Sequence, residues 1–147
     1  MHKKLFCVAA LTLGAMTGIA HAADRTLMLP LAAALESSDA KAKLGDNVKF
    51  YFGDQPVPGK TTALGTDKTS QKTNAFGKAD TTACNWVFLS AMIQLQKHAN
   101  AIGANAVTNI RSNYNNVEKS STTEFECHAG ALMAGVALKA DFVKVAQ

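Results

Sequence analysis

The stretch that decides the fold runs from Ala83 to Ile102 and reads ACNWVFLSAMIQLQKHANAI. Its apolar side chains recur at steps of four and three, which places them on one face of an α-helix. That face carries Cys84, Phe88, Met92, Leu95, Ala99 and Ile102. We expect Thr81 or Thr82 to cap the start of this helix, and Gly103 to take the left-handed conformation after its end.

Strand patterns lie on both sides of the helix. Val48–Phe52 (VKFYF) alternates and is aromatic, and residues 104–114 (ANAVTNIRSNY) also have the composition of a strand. Residues 140–145 are a further candidate, close to the end of the chain. Residues 53–82 are rich in Thr, Gly, Lys, Asp and Asn, and we expect them to form a long surface loop.

The segment 122–138 alternates at its start, as a half-buried strand does. The positions on one face are Phe125, Cys127 and Ala129. The positions on the other face are Glu124, Glu126 and His128. Gly130 and Gly135 predict a bulge or a bend, where the strand either continues or folds back.

Two short helices are expected before the first strand. Residues 30–35 place a proline in a first helical turn, and residues 39–44 follow Ser38 as a possible cap. No internal repeat or linker divides the chain, so we expect a single domain over residues 23–147. One amphipathic helix packed on a mainly antiparallel sheet, an α+β fold, is the simplest architecture.

Residues 1–22 are predicted to be a secretory signal peptide. A basic start precedes an uncharged apolar run over residues 5–20, and Ala20-His21-Ala22 supplies the small residues that a signal peptidase reads. Cleavage between Ala22 and Ala23 would remove Cys7 as well; a retained N-terminal anchor is the alternative. No later segment of the sequence is apolar enough for a transmembrane span. We therefore expect a periplasmic or secreted protein.

The charge of the chain argues against nucleic acid as a partner. The whole sequence has 15 basic and 11 acidic residues, a formal net charge of +4. Two of the lysines lie in the predicted signal peptide, so the net charge of the exported chain falls to about +2. The sequence has no run of basic residues and no basic stripe with interleaved aromatic residues, which nucleic-acid binding would favour.

Cys84 and Cys127 are the two cysteines that remain after export. An even number of cysteines in an oxidising compartment predicts a disulfide bond. In the chain-entropy model, closing so long a loop stabilises the fold by about 3–4 kcal/mol. A metal-binding or redox pair is the alternative, but the sequence contains no C-x-x-C motif.

Gly59-Lys60-Thr61 has the form of the end of a phosphate-binding loop. Such a loop needs four residues between its first glycine and Gly-Lys-Ser/Thr, and it needs a helix after it. Here Gly53 and Gly59 enclose five residues, and two of them are prolines that have no N–H to donate. We therefore expect a proline-stiffened turn, with no bound nucleotide and no other cofactor.

The polar side of the segment around residue 126 is the clearest candidate site. Glu124, Glu126 and His128 would gather oxygen and nitrogen ligands on one strand face, which a metal ion requires. A solvent-facing side of a half-buried strand is the simpler interpretation. Arg111, on a neighbouring strand, and Tyr114 complete the candidate binding residues. Glu124 and Glu126 would also be the pair of a hydrolase that acts on envelope polymers.

Catalysis by a nucleophile has little support in the sequence. There is no G-x-S-x-G motif, and a disulfide bond would leave no free thiolate. Residues 111–114 and 53–82 offer hydrogen-bonding groups, and Tyr51 and Trp86 add aromatic surface. This mixture suits the binding of a protein or a glycan, with an ordinary hydrated surface as the alternative.

Two resemblances to known proteins support an envelope location. The helix that runs into IGANAV (residues 102–107), followed by CHAGAL (residues 127–132), looks like the helix–strand unit of YbjQ-like and RcsF-like domains and covers the chain from residue 83. Most of the exported chain is more similar to small exported proteins that are often labelled "excinuclease ATPase subunit". The stretches that carry this second likeness are FYFG (50–53), KTNAFGK (72–78), NIRSNY (109–114), FECHAGALMAGVALK (125–139) and FVKV (142–145).

The YbjQ-like resemblance implies one helix on a curled sheet. YbjQ-like domains can assemble into rings, so the resemblance also makes a homo-oligomer an expectation to test. The RcsF-like sensors are lipoproteins with four cysteines, whereas this chain has two after export and no lipid-anchoring cysteine. This sequence has neither the intact nucleotide-binding loop nor the zinc-type cysteine pairs that the excinuclease label would require. We therefore expect a non-enzymatic envelope module that binds a protein or a glycan or has a stress-related role, and that has no cofactor.

Overall fold

The structure is a computed structural model that describes residues 24–147. The predicted signal peptide and its cleavage site lie outside the described residues. Within these residues, three α-helices, one short 3₁₀ helix (Tyr114–Asn116) and a curled sheet of six strands form an α+β half-barrel, which confirms the predicted fold class. The helices are α1 (Leu31–Leu35), α2 (Ser38–Lys43) and α3 (Asp80–Ile102). The strands are β1 (Arg25–Pro30), β2 (Lys49–Phe52), β3 (Thr61–Asn74), β4 (Ala106–Ser112), β5 (Glu124–Ala129) and β6 (Met133–Val145).

The sheet is built around β6. One edge of β6 pairs with β3 in antiparallel fashion along the whole of residues 61–74. Its other edge pairs with β5 near the start of the strand and with β4 further along, both antiparallel. β1 extends the sheet beyond β5, and β2 extends it beyond β4 as the one parallel pair of the described sheet. The inner face of this curled sheet packs against α3.

The buried face of α3 follows the predicted stripe. Cys84, Phe88, Met92, Leu95 and Ala99 are all buried, whereas Ile102 in the last turn is 37% exposed. The ring of Phe88 stacks on that of Phe125 from β5, with 4.1 Å between centroids. Gly103 ends the helix as predicted, because its left-handed conformation (φ 79°) lets its N–H reach the carbonyls of Ala99 and Asn100.

The start of α3 differs from the prediction. The helix begins at Asp80, and neither Thr81 nor Thr82 caps it, since the N-cap position is Ala79 and has no side-chain hydrogen bond. Asp80 takes the place of a cap, because a carboxylate in the first turn interacts favourably with the helix dipole. The guanidinium of Arg25 binds both oxygens of Asp80 at 2.9 Å and lowers the pKa of that carboxyl.

The expected long loop over residues 53–82 is wrong. Its middle forms β3, a strand of 14 residues, and its end is the first turn of α3. β3 is an edge strand and most of its side chains are exposed. Because neither face of this strand is strongly apolar, the alternation that reveals a half-buried strand is absent from its sequence. Residues 25–30 also form a strand, β1, that composition did not indicate.

The predicted strands near the end of the chain join differently. Residues 133–145 form one continuous strand, so residues 140–145 are not a separate strand. The chain folds back after β5, where the N–H of Gly130 donates to the carbonyl of Met133 at 2.8 Å. Gly135 pairs regularly with His128 on one side and with Lys72 on the other, and no bulge forms there.

The short N-terminal helices are confirmed with a small shift. α1 starts directly after Pro30, and α2 starts at Ser38 with Ser37 rather than Ser38 as its N-cap. The Ser37 hydroxyl accepts a hydrogen bond from the Ala40 N–H at 3.2 Å. Residues 53–60 form a turn that leads into β3, so Lys60 is not followed by the helix that a phosphate-binding loop requires.

Cys84 and Cys127 form the predicted disulfide bond, which joins α3 to β5 across 43 positions of sequence. Both cysteines are fully buried. Within residues 24–147, α3 is the longest helix, and neither it nor the shorter helices have the combination of length and apolar character that a membrane span needs.

Candidate functional site

The polar side of β5 is buried at its centre. Phe125, Cys127 and Ala129 lie in the core, as predicted, and place Glu126 and His128 on the outer face of the sheet. Glu126 is only 3% exposed, so the expectation of a solvent-facing carboxylate is wrong at this position. Neighbouring side chains cover it, and Lys119 is among them.

Two basic groups hold the Glu126 carboxylate. The ammonium of Lys119 lies 2.5 Å from Oε2, and Nε2 of His128 lies 2.9 Å from Oε1. Burial is the largest influence on the pKa of Glu126 and would raise it, but the hydrogen bonds from Lys119 and His128 outweigh burial and lower the pKa. Glu126 is therefore an ionised, fully engaged group of the folded domain.

His128 is enclosed by further polar groups. The ring of Tyr114 stacks on it, with centroids 3.4 Å apart and an interplanar angle of 8°. Its Nδ1 lies 3.4 Å from both Thr26 Oγ1 and Asp24 Oδ2, and the Tyr114 hydroxyl donates to that same Asp24 oxygen at 3.3 Å. Burial, and then the charge of Asp24, raises the pKa of Tyr114. The structure thus brings together His128 with Glu126 and Tyr114, while sequence reasoning missed Asp24.

Arg111 belongs to a separate network. β4 pairs with β6 and β2, so the expectation that Arg111 lies on a strand paired with β5 is wrong. Arg111 nevertheless lines one small pocket together with Glu124 and Glu126. Its Nε donates to Glu118 Oε2 at 2.5 Å, and the Lys139 ammonium reaches Glu118 Oε1 at the same distance. The hydrogen bonds from Arg111 and Lys139 lower the pKa of Glu118 to about 2. Arg111 also lies 3.9 Å from Asp141, which closes the network.

The predicted metal ligands are not arranged as a set. Both oxygens of Glu126 are engaged by Lys119 and His128, and the neighbouring Glu124 is exposed. Among residues 24–147 no group of three or more His, Cys, Asp or Glu side chains is placed to hold a metal ion. The metal-binding and hydrolase alternatives stay predictions from the sequence, and this geometry adds nothing to them.

A different kind of site lies on the helix side of the domain, in a cleft between α2, the end of β3 and the first turns of α3. We call it the Trp86 cleft. Its volume is about 390 Å³, and its walls are Ser37, Asp39, Thr73, Lys78, Thr82, Ala83, Asn85, Trp86 and Leu89. Trp86 is 47% exposed, and the ammonium of Lys43 lies 5.8 Å from its ring centroid.

The polar groups of the Trp86 cleft are largely free. Four of its side chains make no hydrogen bond to any group in the described part of the chain: Asp39, Thr73, Thr82 and Asn85. The ammonium of Lys78 is engaged by the carbonyl of Asn74 at 3.1 Å. The sequence analysis named Trp86 only as added aromatic surface. Asn85 and Trp86 directly follow Cys84 but lie off the buried stripe of the helix, and this position could have indicated an exposed tryptophan.

A second cleft, of about 430 Å³, lies on the outer face beside Tyr114 and His128. Leu132 and Met133 line it and are 63% and 48% exposed. Three of its polar walls, Asp24, Tyr114 and His128, already bind one another, whereas the Lys72 ammonium makes no hydrogen bond or ion pair within residues 24–147. The outer edge of β3 pairs with no other strand of residues 24–147, and the homo-oligomer that the resemblance implies stays a prediction.

Comparison with models of protein families, with curated proteins and with solved structures found no match. The resemblances to YbjQ-like and RcsF-like domains, and to the exported proteins with the excinuclease label, therefore stay predictions from the sequence.

Proposed function

We propose that the chain is a non-enzymatic binding module of the bacterial cell envelope and that the Trp86 cleft is its binding site. One observation carries this proposal: an exposed indole shares a cleft with four polar side chains that have no partner in the described residues. Ligand sites combine an apolar or aromatic wall with a few polar groups that fix orientation. The candidate ligands are an envelope protein or a glycan.

The disulfide bond supports export to the periplasm or secretion. Disulfide bonds persist in oxidising compartments and are rare in the cytosol. Cys84 and Cys127 are bonded in the core, so neither sulfur is left as a nucleophile or a metal ligand. This agrees with the signal peptide that the first 22 residues predict.

The geometry around His128 supports binding over catalysis. A nucleophile has to lie within hydrogen-bond reach of its base, and donors have to face the developing oxyanion. The hydroxyl beside His128 is that of Thr26, 3.4 Å from Nδ1, and the Asp24 carboxylate competes for the same nitrogen at 3.4 Å. On the other side of the ring, Nε2 faces the buried Glu126 carboxylate, which the half-exposed Lys119 also binds.

Capture from an envelope extract tests the proposal. The exported chain is immobilised, and wild type is compared with Trp86→Ala and with Glu118→Gln, which alters a charged group away from the cleft. We expect wild type and Glu118→Gln to retain the same protein or glycan and Trp86→Ala to lose most of it. Equal retention by all three chains would contradict the proposal, and retention of nothing above background would count against it.

The compartment has its own test. Cells that express residues 1–147 are fractionated, and the chain is examined by non-reducing mass spectrometry. We expect an envelope or secreted form that begins at Ala23 and is two hydrogens lighter than the dithiol. An unprocessed cytosolic chain with free Cys84 and Cys127 would contradict the proposed export. The proposed binding function would then still be tested by the capture experiment.

A further inference from the structure

We infer that the Trp86 cleft takes a neutral saccharide, with one sugar ring lying against the indole. This inference rests on the proposed binding function and names the chemical class of its ligand. It depends on the aromatic surface, on the free polar groups around it and on the charge of the cleft. Each of these three features is independent of the paired groups on the outer face of the sheet.

The indole supplies a flat apolar surface at the mouth of the cleft. Trp86 is 47% exposed, and a single ammonium at 5.8 Å, that of Lys43, covers at most one of its two faces. A pyranose ring has one face that consists mainly of C–H groups, and laying it on an indole buries apolar area while the hydroxyl groups at the ring edge stay free. Leu89, in the wall of the cleft, adds further apolar surface.

The rim of the cleft has the hydrogen-bonding groups that a sugar requires. Asp39 offers acceptors, Asn85 offers both donors and acceptors, and the hydroxyls of Thr73 and Thr82 offer one of each kind. A ligand with several hydroxyl groups can satisfy all of them. Because these side chains have no partner within residues 24–147, binding displaces water and breaks no hydrogen bond of the protein.

The charge of the cleft favours a neutral ligand over an anion. Of the described groups that wall the cleft, Asp39 and Lys78 are ionisable and carry opposite charges. The Lys43 ammonium lies outside these walls, 5.8 Å from the centroid of the indole ring. The Lys78 ammonium already binds the Asn74 carbonyl, and Asp80 in the first turn of α3 occupies the positive end of the helix dipole. A phosphate group would meet no free cation in the walls described. A volume of about 390 Å³ also suits a small ligand more than a protein surface.

The single tryptophan of the sequence makes the test direct. Since Trp86 is the only indole, its emission reports the cleft without interference. The exported chain is titrated with maltotetraose, cellotetraose, the N-acetylglucosamine tetramer and, as an anionic comparison, inorganic phosphate. We expect at least one of the oligosaccharides to change the emission saturably and phosphate to leave it unchanged.

Variants assign the binding to the cleft. We expect Trp86→Ala to weaken the affinity for the active oligosaccharide, measured by calorimetry, by at least about tenfold, and Asp39→Asn to weaken it by a few-fold. Glu118→Gln is the matched control for Asp39→Asn, because it makes the same carboxyl-to-amide change on the outer face. It should bind as wild type does. Unchanged melting temperatures would show that the cleft variants are folded.

Two outcomes overturn the saccharide inference while the proposed function survives. In the first, no oligosaccharide changes the emission up to about 10 mM, yet an envelope protein is captured in a Trp86-dependent way. In the second, phosphate binds and the sugars do not. Saccharide binding that persists in Trp86→Ala would also overturn the inference, because it would place the ligand elsewhere. Failure of both this test and the capture experiment would remove the proposed function itself.

Discussion

The outer face around Glu126 and the Trp86 cleft are two polar surfaces of one domain, and one disulfide bond joins them. Cys84 stands two residues before Trp86, and Cys127 directly follows Glu126. On the outer face the charged groups bind one another, in the networks of Glu126 and Glu118. In the cleft, four polar side chains near an exposed indole (Asp39, Thr73, Thr82 and Asn85) have no partner within residues 24–147, whereas Ser37 and Lys78 are engaged.

This difference separates two uses of polar residues. A buried carboxylate needs partners before a domain can fold around it, and Glu126 has both Lys119 and His128. Polar groups without partners add nothing to the fold that water does not supply. Glu126 and His128, two of the three outer-face residues that the strand pattern singled out, are therefore structural by this criterion, whereas the exposed Glu124 is not. The free groups of the Trp86 cleft are those that we assign to a ligand.

The largest expected effect comes from cutting the link between the two surfaces. Cys84→Ala combined with Cys127→Ala should lower the free energy of unfolding by about 3–4 kcal/mol, because the closed loop no longer restricts the unfolded chain. The melting temperature should fall by roughly 10 °C in calorimetry. Alanine is preferred to serine, since both positions are fully buried. Wild type in excess reductant serves as the control and should behave like the variant; an unchanged melting temperature would mean that the bond contributes no stability.

The next effect tests whether the outer face is a closed network. Lys119→Met keeps the apolar stem and removes the ammonium, which leaves buried Glu126 with His128 alone. We expect a loss of about 1–3 kcal/mol in chemical denaturation at pH 7.

Adding Glu126→Gln to that variant should recover much of the loss, because no buried charge then remains. Lys49→Met, at an exposed position of β2, is the matched control and should cost less than about 0.5 kcal/mol. If Lys119→Met left the free energy of unfolding unchanged, the ion pair would contribute no net stability, and the contrast between the two surfaces would be weakened.

Acid should reveal the Glu118 network. The pKa of Glu118 is lowered from 4.5 to about 2 in the folded domain by Arg111 and Lys139. A depressed pKa contributes stability that is fully present above pH 4.5 and is lost as the pH falls towards 2. In Glu118→Gln, the melting temperature should therefore fall less steeply than in wild type across that window. Because Glu118 is 41% exposed, 1 M salt should reduce the difference. If the melting temperatures of wild type and Glu118→Gln fell equally steeply with pH, the lowered pKa would not belong to Glu118.

The sequence predicted those parts of the fold in which local pattern and packing agree. The stripe from Cys84 to Ala99 is apolar because it is buried, and so it revealed both α3 and a cysteine able to reach β5. β3 escaped because an edge strand with two polar faces has no alternation to read. β1 was not predicted because its leucines and methionine occur in helices as well as in strands.

The candidate sites depend on contacts that a sequence does not display. Glu126 and His128 were identified by their spacing, but Lys119 and Asp24 reach them only through the folding of distant segments. The Trp86 cleft likewise combines walls from α2, β3 and α3, which are far apart in sequence. Predicting it would have required β3, the element that the composition concealed.

The smallest expected effect on stability is the most informative about the cleft. Asn85 lies inside α3 without a partner in residues 24–147, and alanine is the better helix former. Asn85→Ala should therefore leave the free energy of unfolding unchanged or raise it by up to about 0.5 kcal/mol, measured by chemical denaturation. The same variant should weaken saccharide binding in calorimetry. A loss of stability above about 1 kcal/mol would show that Asn85 supports the fold and would erase the contrast with the outer face. A residue whose removal stabilises the domain and weakens its ligand belongs to a binding site, because it contributes to nothing else.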